Sequence, residues 1–153
     1  MPSNVADHLY RDFEHAGWER ASPFYAGSFE AITSLFARQL LDAVGAGPGT
    51  KLLDVACGSG YMAAMAAQFG AQVEAVDFSP SMVDAATTHY PALSFRVADA
   101  EALPFADNTF DAVVIGFGVH HFAFPLRALA ESHRVLRAGG AWGSPCGRPS
   151  ASI

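Results

Sequence analysis

The run Leu52-Leu53-Asp54-Val55 reads as a short buried strand. It passes through Cys57-Gly58-Ser59-Gly60 into a helical stripe of Met62, Met65, Ala66 and Phe69 that stops at Gly70. A chain that turns from strand to helix over two glycines, and then repeats the alternation, has few folds open to it. The second round is residues 73–77 as strand and Ser79-Pro80 as a helix start, with serine as N-cap and proline at the first helical position. Residues 93–97 read as a third strand, and residues 110–116, the most apolar run, as a central one. Leu126, Leu129, Ala130, His133 and Leu136 mark a last helix, halted by Gly139-Gly140. Strands alternating with helices imply a parallel α/β sheet covered on both faces, with ligands outside the carboxyl ends of the strands where strand order reverses. Composition agrees: 51% of the 153 residues are hydrophobic and 16% charged. Average soluble domains carry roughly 25% charged residues, so a well-buried core is expected.

Upstream, Phe29, Ile32, Phe36 and Leu40 recur at helical spacing and predict a helix over 29–44, ended by Gly45-Ala46-Gly47-Pro48-Gly49. The aromatic segment before it, with Tyr10, Phe13, Trp18, Phe24 and Tyr25, is expected to form short helices. The organisation expected is an N-terminal helical cap over 1–48, a Rossmann-like core over 49–140 and an irregular tail over 141–153. Residues 1–17 are polar and give no signal peptide; the uncharged stretch 55–73 holds glycines and glutamines that suit a turn and helix better than a membrane span. A cytoplasmic protein without membrane insertion is expected. A net charge of -6 leaves no basic footprint for nucleic acid. Cys57 and Cys146 lack the spacing of a disulfide framework or zinc site, so no metal is expected.

Asp54, Asp77 and Asp99 fall at or just beyond predicted strand ends. Asp77, closing the second strand, is placed to accept hydrogen bonds from both hydroxyls of a ribose. Gly58-Ser59-Gly60-Tyr61-Met62-Ala63 satisfies the G-x-G-x-x-A dinucleotide fingerprint, so a nicotinamide-dependent oxidoreductase is a rival reading. Asp54 weighs against it, because a carboxylate inside the turn would repel a pyrophosphate but attract a cation. S-adenosylmethionine carries an ammonium and a sulfonium and no phosphate, and suits the three carboxylates better.

Leu52-Leu53-Asp54-Val55-Ala56-Cys57-Gly58-Ser59-Gly60 resembles the first motif of class I S-adenosylmethionine-dependent methyltransferases. Val76-Asp77-Phe78-Ser79-Pro80-Ser81-Met82 resembles their ribose-binding segment, and Ala98-Asp99-Ala100-Glu101-Ala102-Leu103-Pro104-Phe105 their adenine-side loop. Phe110-Asp111-Ala112-Val113-Val114 and Arg134-Val135-Leu136-Arg137-Ala138-Gly139-Gly140 resemble the fourth strand and the turn before the fifth. The branch most alike is the one that includes ubiquinone and menaquinone biosynthesis methyltransferases. The resemblance implies that Asp54, the Gly58–Gly60 backbone and the carbonyl of Gly116 hold the methionine end of the cofactor. It implies Asp77 on the ribose, Phe78 and Met82 flanking the adenine, and Asp99 with the Ala100 backbone at the adenine amino group. Ala56 departs from the glycine of many relatives, a change tolerable where its backbone angle is ordinary.

The implied reaction is methyl transfer from S-adenosylmethionine to a small-molecule acceptor. In-line attack on an activated methyl needs orientation more than a catalytic group, and a base only where the acceptor loses a proton. His120 and His121 are the candidates, one of them expected to face the core. In relatives the N-terminal segment commonly closes over the acceptor pocket, which offers Tyr10, Trp18 or Tyr25 as lining. Taken singly, Asp54 and Asp99 could be turn carboxylates; Met62, Met65 and Phe69 read as packing, and Cys57 as inert filler.

Residues 141–153 hold two prolines, two glycines and three serines with no strand period. An irregular tail is expected where the family's last strands belong, so the resemblance is to a C-terminally truncated member. If Ser144 uses a TCN codon, GGN-TCN-CCN-TGY for Gly143-Ser144-Pro145-Cys146 read two bases later can encode Phe-Thr-Val-Trp, a strand-like run. A frameshift is therefore one expectation and a natural short tail the alternative; an AGY codon at Ser144 excludes the frameshift. Loss of those strands would impair turnover, leaving a non-catalytic cofactor-binding or interaction module as the alternative. It would also bare one edge of residues 110–116 and favour self-association.

Overall fold

The computed structural model describes residues 5–28, 30–145 and 150–151. Two helices, α1 (Val5–Ser28) and α2 (Glu30–Ala43), precede the alternation β1 (Lys51–Val55), α3 (Tyr61–Gln68), β2 (Gln72–Asp77), α4 (Pro80–His89) and β3 (Ser94–Val97). β4 (Phe110–Ile115), a short 3-10 helix (Phe117–His121), α5 (Pro125–Val135), β5 (Leu136–Gly143) and β6 (Ser150–Ala151) complete it. The sheet order is β3-β2-β1-β4-β5-β6, with β1 to β5 parallel and β6 antiparallel to β5. Strand order therefore reverses between β1 and β4, and the crevice belongs at their carboxyl ends. No helix of the described residues is long and apolar enough to cross a membrane.

Alternation along the strands divides the core. Leu53, Val55, Val113 and Ile115 pack on one face with Ala128 and Val135 of α5. Leu52, Ala112 and Val114 pack on the other with Leu40 and Leu41 of α2 and Met62 and Ala66 of α3. Asp54 shares that second face by the same period of two. Arg134 of α5 fixes the loop after β3: its guanidinium donates to the carbonyls of Leu103 and Phe105, while Glu131 accepts from the Leu103 amide. Ser79 caps α4 as expected, accepting from the Met82 amide at 3.2 Å.

Three expectations need correction. The segment before α2 is one long helix, not several short ones. Its ties to the core come from Arg11, His15 and Trp18 at helical spacing and from the neighbouring Glu14 and Glu19, so a largely polar docking face replaces the apolar stripe that would have announced it. The irregular tail does not begin at Ala141, because Ala141, Trp142 and Gly143 pair with Ala112, Val113 and Val114. Residues 146–149 and 152–153, including Cys146, lie outside the described residues. β4 is consequently an interior strand, with Phe110 and residues 112–115 fully buried, and the bare edge that motivated self-association is filled by β5.

Two features hid β5. Phe110 pairs with Leu136 but Ala112 with Ala141, so residues 137–140 bulge, and Gly139 there is left-handed at φ 77°. Gly139-Gly140 thus sit inside the strand element and do not stop the helix, which ends at Val135. At Gly143 a Cβ would lie 2.7 Å from Leu40 Cδ1 and 2.8 Å from Val44 Cγ1, so glycine is what lets α2 rest on this strand. Gly143→Val, despite valine's strand propensity, is expected to destabilise by about 1–3 kcal/mol through overpacking, read by chemical denaturation.

Candidate active site

A cavity of about 580 Å³ opens at the carboxyl ends of β1, β2 and β4. Its floor comes from the turns that follow those strands, and α1 crosses over it. Asp54, Ala56, Gly58, Asp77, Phe78, Met82, Asp99, Ala100 and Gly116 all border this one space, as do His120 and His121. Of the residues singled out from sequence for the cofactor, Gly60 alone does not. Its φ is 90°, and a Cβ there would meet the Phe95 ring at 2.8 Å and Ala86 Cβ at 3.1 Å. Glycine at 60 serves the left-handed entry into α3 and its packing on β3 and α4.

Asp54 is the most unusual group in the cavity wall. Its residue is 1% exposed, the Ala63 amide at the start of α3 donates to it, and Oδ2 has no hydrogen-bond partner among the described residues. Burial, and next the charge of Asp77, push its pKa up to about 8 from 3.8, against the pull of that amide. A carboxylate so placed is costly unless a cation or donor meets it from the cavity. Asp77 differs. Its Oδ2 accepts from the Gly58 amide at 2.8 Å and its Oδ1 from the Ser79 amide at 3.0 Å. Burial raises its pKa, though these amides oppose the rise. Each oxygen keeps a lone pair for a ligand hydroxyl.

Ala56 contradicts the condition set for it, because its φ is 58°. A side chain in the left-handed region costs about 1 kcal/mol. Its methyl also faces Gly118, where a Cβ would lie 2.5 Å away. Ala56→Gly is accordingly expected to raise stability by about 1 kcal/mol, measured by thermal unfolding of the ligand-free protein.

At the other end, Asp99 Oδ1 accepts from the Glu101 amide at 2.9 Å, and Arg11 of α1 stands 3.5 Å from Oδ2. The same guanidinium donates to Glu101 at 2.5 Å, and Glu101 also accepts from the Phe124 amide. Glu19 accepts from the hydroxyls of Ser79 and Ser81, which holds its carboxyl below the usual range and ties α1 to the start of α4. His15 meets the Phe78 ring edge-on at 5.4 Å.

Both histidines reach the cavity, so neither is a core residue. The His120 carbonyl accepts from the Tyr10 hydroxyl at 3.1 Å, and His121 Nδ1 lies 2.7 Å from Glu14 Oε2. Trp18 lines the cavity and stacks edge-on against His121 at 4.8 Å; Tyr10 does not line it, and Tyr25 lies outside the residues whose side chains are described. Phe36 and Phe117, in edge contact at 6.1 Å, add an aromatic wall. Arg11, Glu14 and Glu19 carry no local sequence signal beyond their spacing on a helix that shows no apolar stripe. Glu101 lies in the loop after β3, within the adenine-side segment, where sequence singled out only its neighbours Asp99 and Ala100.

A model of the methyltransferase domain family matches residues 53–142. Demethylmenaquinone methyltransferase from Renibacterium salmoninarum is 46% identical over 108 residues, covering 71% of this chain and 46% of that protein. The enzyme of the same name from Chlorobaculum parvum is 45% identical over 91 residues, covering 59% and 38%. The chain thus spans less than half the length of these curated relatives. Among solved structures, the methyltransferase complexed with the Haloferax volcanii Trm112 activator superposes with a TM-score of 0.76 at 27% identity, covering 83% of this chain and 58% of that one. The [4+2]-cyclase SpnF superposes at 0.69 with 30% identity, covering 75% and 44%. Since the family model takes in the glycine turn, all three strand-end aspartates and the strands through Trp142, the chain belongs to the methyltransferase domain family, within the class I S-adenosylmethionine-dependent methyltransferases.

Proposed function

We propose that this chain binds S-adenosylmethionine and transfers its methyl group to a small aromatic acceptor of hydroquinone type. The observation that carries the reading is Asp54: a buried carboxylate oxygen without a partner, bordering a cavity, fits the ammonium of a phosphate-free ligand and opposes a pyrophosphate. When bound, the cofactor supplies a methyl group already activated by its sulfonium. Asp54 and the Gly58 backbone would hold the methionine end near the Gly116 carbonyl, which also accepts from Ser144 Oγ at 3.3 Å. Asp77 would accept the ribose hydroxyls, Phe78 and Met82 would enclose the adenine, and Asp99 and the Ala100 backbone would meet its amino group. For the acceptor, Trp18, Phe36 and Phe117 line the part of the cavity beneath α1 and α2 and suit a planar apolar ring. The name of the curated relatives supports an acceptor of this class.

The test is incubation with S-adenosylmethionine and 1,4-dihydroxynaphthalene, followed by mass spectrometry. A methylated product together with S-adenosylhomocysteine is expected. A second reading, cofactor binding without methyl transfer, draws on the similarity to a protein named as a cyclase. It is favoured if S-adenosylhomocysteine binds while no methylated product forms from any hydroxylated aromatic ring.

A further inference from the structure

The cap helix brings an acid that no local pattern singles out to a histidine that lines the cavity. Glu14 of α1 and His121, in the 3-10 helix after β4, lie 107 positions apart in sequence, yet Oε2 and Nδ1 are 2.7 Å apart. We propose that His121 is the general base of the transfer and that Glu14 is the residue that positions it. The inference rests on the reading of the cavity as a methyl-transfer site with a hydroxylated aromatic acceptor.

Three observations converge on it. An ionised carboxylate can only accept, so a neutral His121 facing Glu14 carries its proton on Nδ1, and the lone pair is left on Nε2. The histidine borders the cavity, with its side chain 36% exposed, while Glu14 behind it is 15% exposed. The Trp18 ring stands nearly perpendicular to it with ring centres 4.8 Å apart, so carboxylate and indole both restrain the imidazole. A base oriented by an acid, with its lone pair left on the other nitrogen, is the arrangement that removes a hydroxyl proton. Asp99, already held by Arg11 and the Glu101 amide, and Asp54, set deep in the β1 turn, do not share that position.

The step balances. The acceptor O–H proton passes to Nε2 of His121. The electron pair it leaves, on oxygen or delocalised to the ring carbon beside it, forms the bond to the methyl carbon. The methyl–sulfur bond breaks with its pair remaining on sulfur, and the positive charge lost there reappears on the imidazolium, next to the Glu14 carboxylate.

Two readouts test it. Nitrogen-15 spectra of histidine-labelled wild-type protein should show His121 as the Nδ1–H tautomer, and Glu14→Gln should disturb that signature; the Nε2–H tautomer in wild type overturns the proposal. In turnover of 1,4-dihydroxynaphthalene, His121→Asn should lower kcat by about 100-fold or more. Glu14→Gln should lower it by roughly 10- to 100-fold. Both variants should keep S-adenosylhomocysteine affinity within about twofold, which also shows that they fold, as no contact to the cofactor is removed. Retention of kcat in His121→Asn overturns the role. Wild-type protein that binds S-adenosylhomocysteine but leaves the hydroxyl ring unmethylated overturns it too, with the cofactor reading intact; loss of S-adenosylhomocysteine binding in wild type defeats the underlying reading instead.

Discussion

Asp54→Asn should weaken S-adenosylhomocysteine binding by about 100-fold or more while making the ligand-free protein more stable at pH 8. Both effects come from one buried carboxylate. Its Oδ2 lacks a partner among the described residues and its pKa stands at about 8, so folding holds the acid protonated where the unfolded chain would release the proton near 3.8. Between those values the folded state binds more protons than the unfolded state. The carboxyl's contribution to stability is therefore fully present below about pH 4 and is lost as pH rises through about 8. Asparagine keeps an oxygen for the Ala63 amide and carries no charge to desolvate. A gain of about 1–3 kcal/mol at pH 8, shrinking toward pH 5, is expected from denaturant titrations. The same change removes the anion that meets the ligand ammonium, hence the loss of affinity. A protein destabilised at pH 8 by Asp54→Asn would show that the carboxylate is satisfied without ligand.

Cofactor affinity should also climb with pH. A cation beside Asp54 favours its charged form, so binding at pH 6–7 expels a proton that the free protein holds. Affinity for S-adenosylhomocysteine is expected to rise up to about tenfold per pH unit from pH 6 and to flatten near pH 8, where the free carboxyl is half ionised. Calorimetry in buffers of different ionisation enthalpy should give close to one proton released at pH 6.5. Asp77 titrates in the same direction for the same cause, burial, but the Gly58 and Ser79 amides already favour its charge, so its share is smaller. Affinity independent of pH over this range, or proton uptake, would contradict the placement of a cation at Asp54. In Asp54→Asn most of the pH dependence should vanish.

What the sequence made legible is local in origin. The strand–turn–helix units at 52–70 and 73–89 are written in apolar periods, caps and glycines that act within a few residues, and Ser79 does cap α4. The strand-end aspartates follow directly from that reading. What escaped depends on residues far apart in sequence. Gly143 resembles a strand breaker until Leu40 and Val44 are seen to leave no room for a Cβ. Gly60 resembles a ligand-binding glycine until the Phe95 ring is seen against it. Ala56 sits at φ 58°, an angle its own side chain disfavours and that no neighbouring residue type announces. The long α1 helix, with its Arg11, Glu14 and Glu19 ties, is held by polar contacts to loops after β2, β3 and β4, so a search for apolar stripes passes over it.

The central claim is that the three strand-end aspartates frame a cavity for a cationic, phosphate-free nucleoside. Its most direct test is isothermal titration of the protein with S-adenosylhomocysteine beside a parallel titration with NADH. Saturable, one-to-one binding of S-adenosylhomocysteine with no heat from NADH is the result expected. Saturable binding of NADH without binding of S-adenosylhomocysteine would place a pyrophosphate beside Asp54 and contradict the claim.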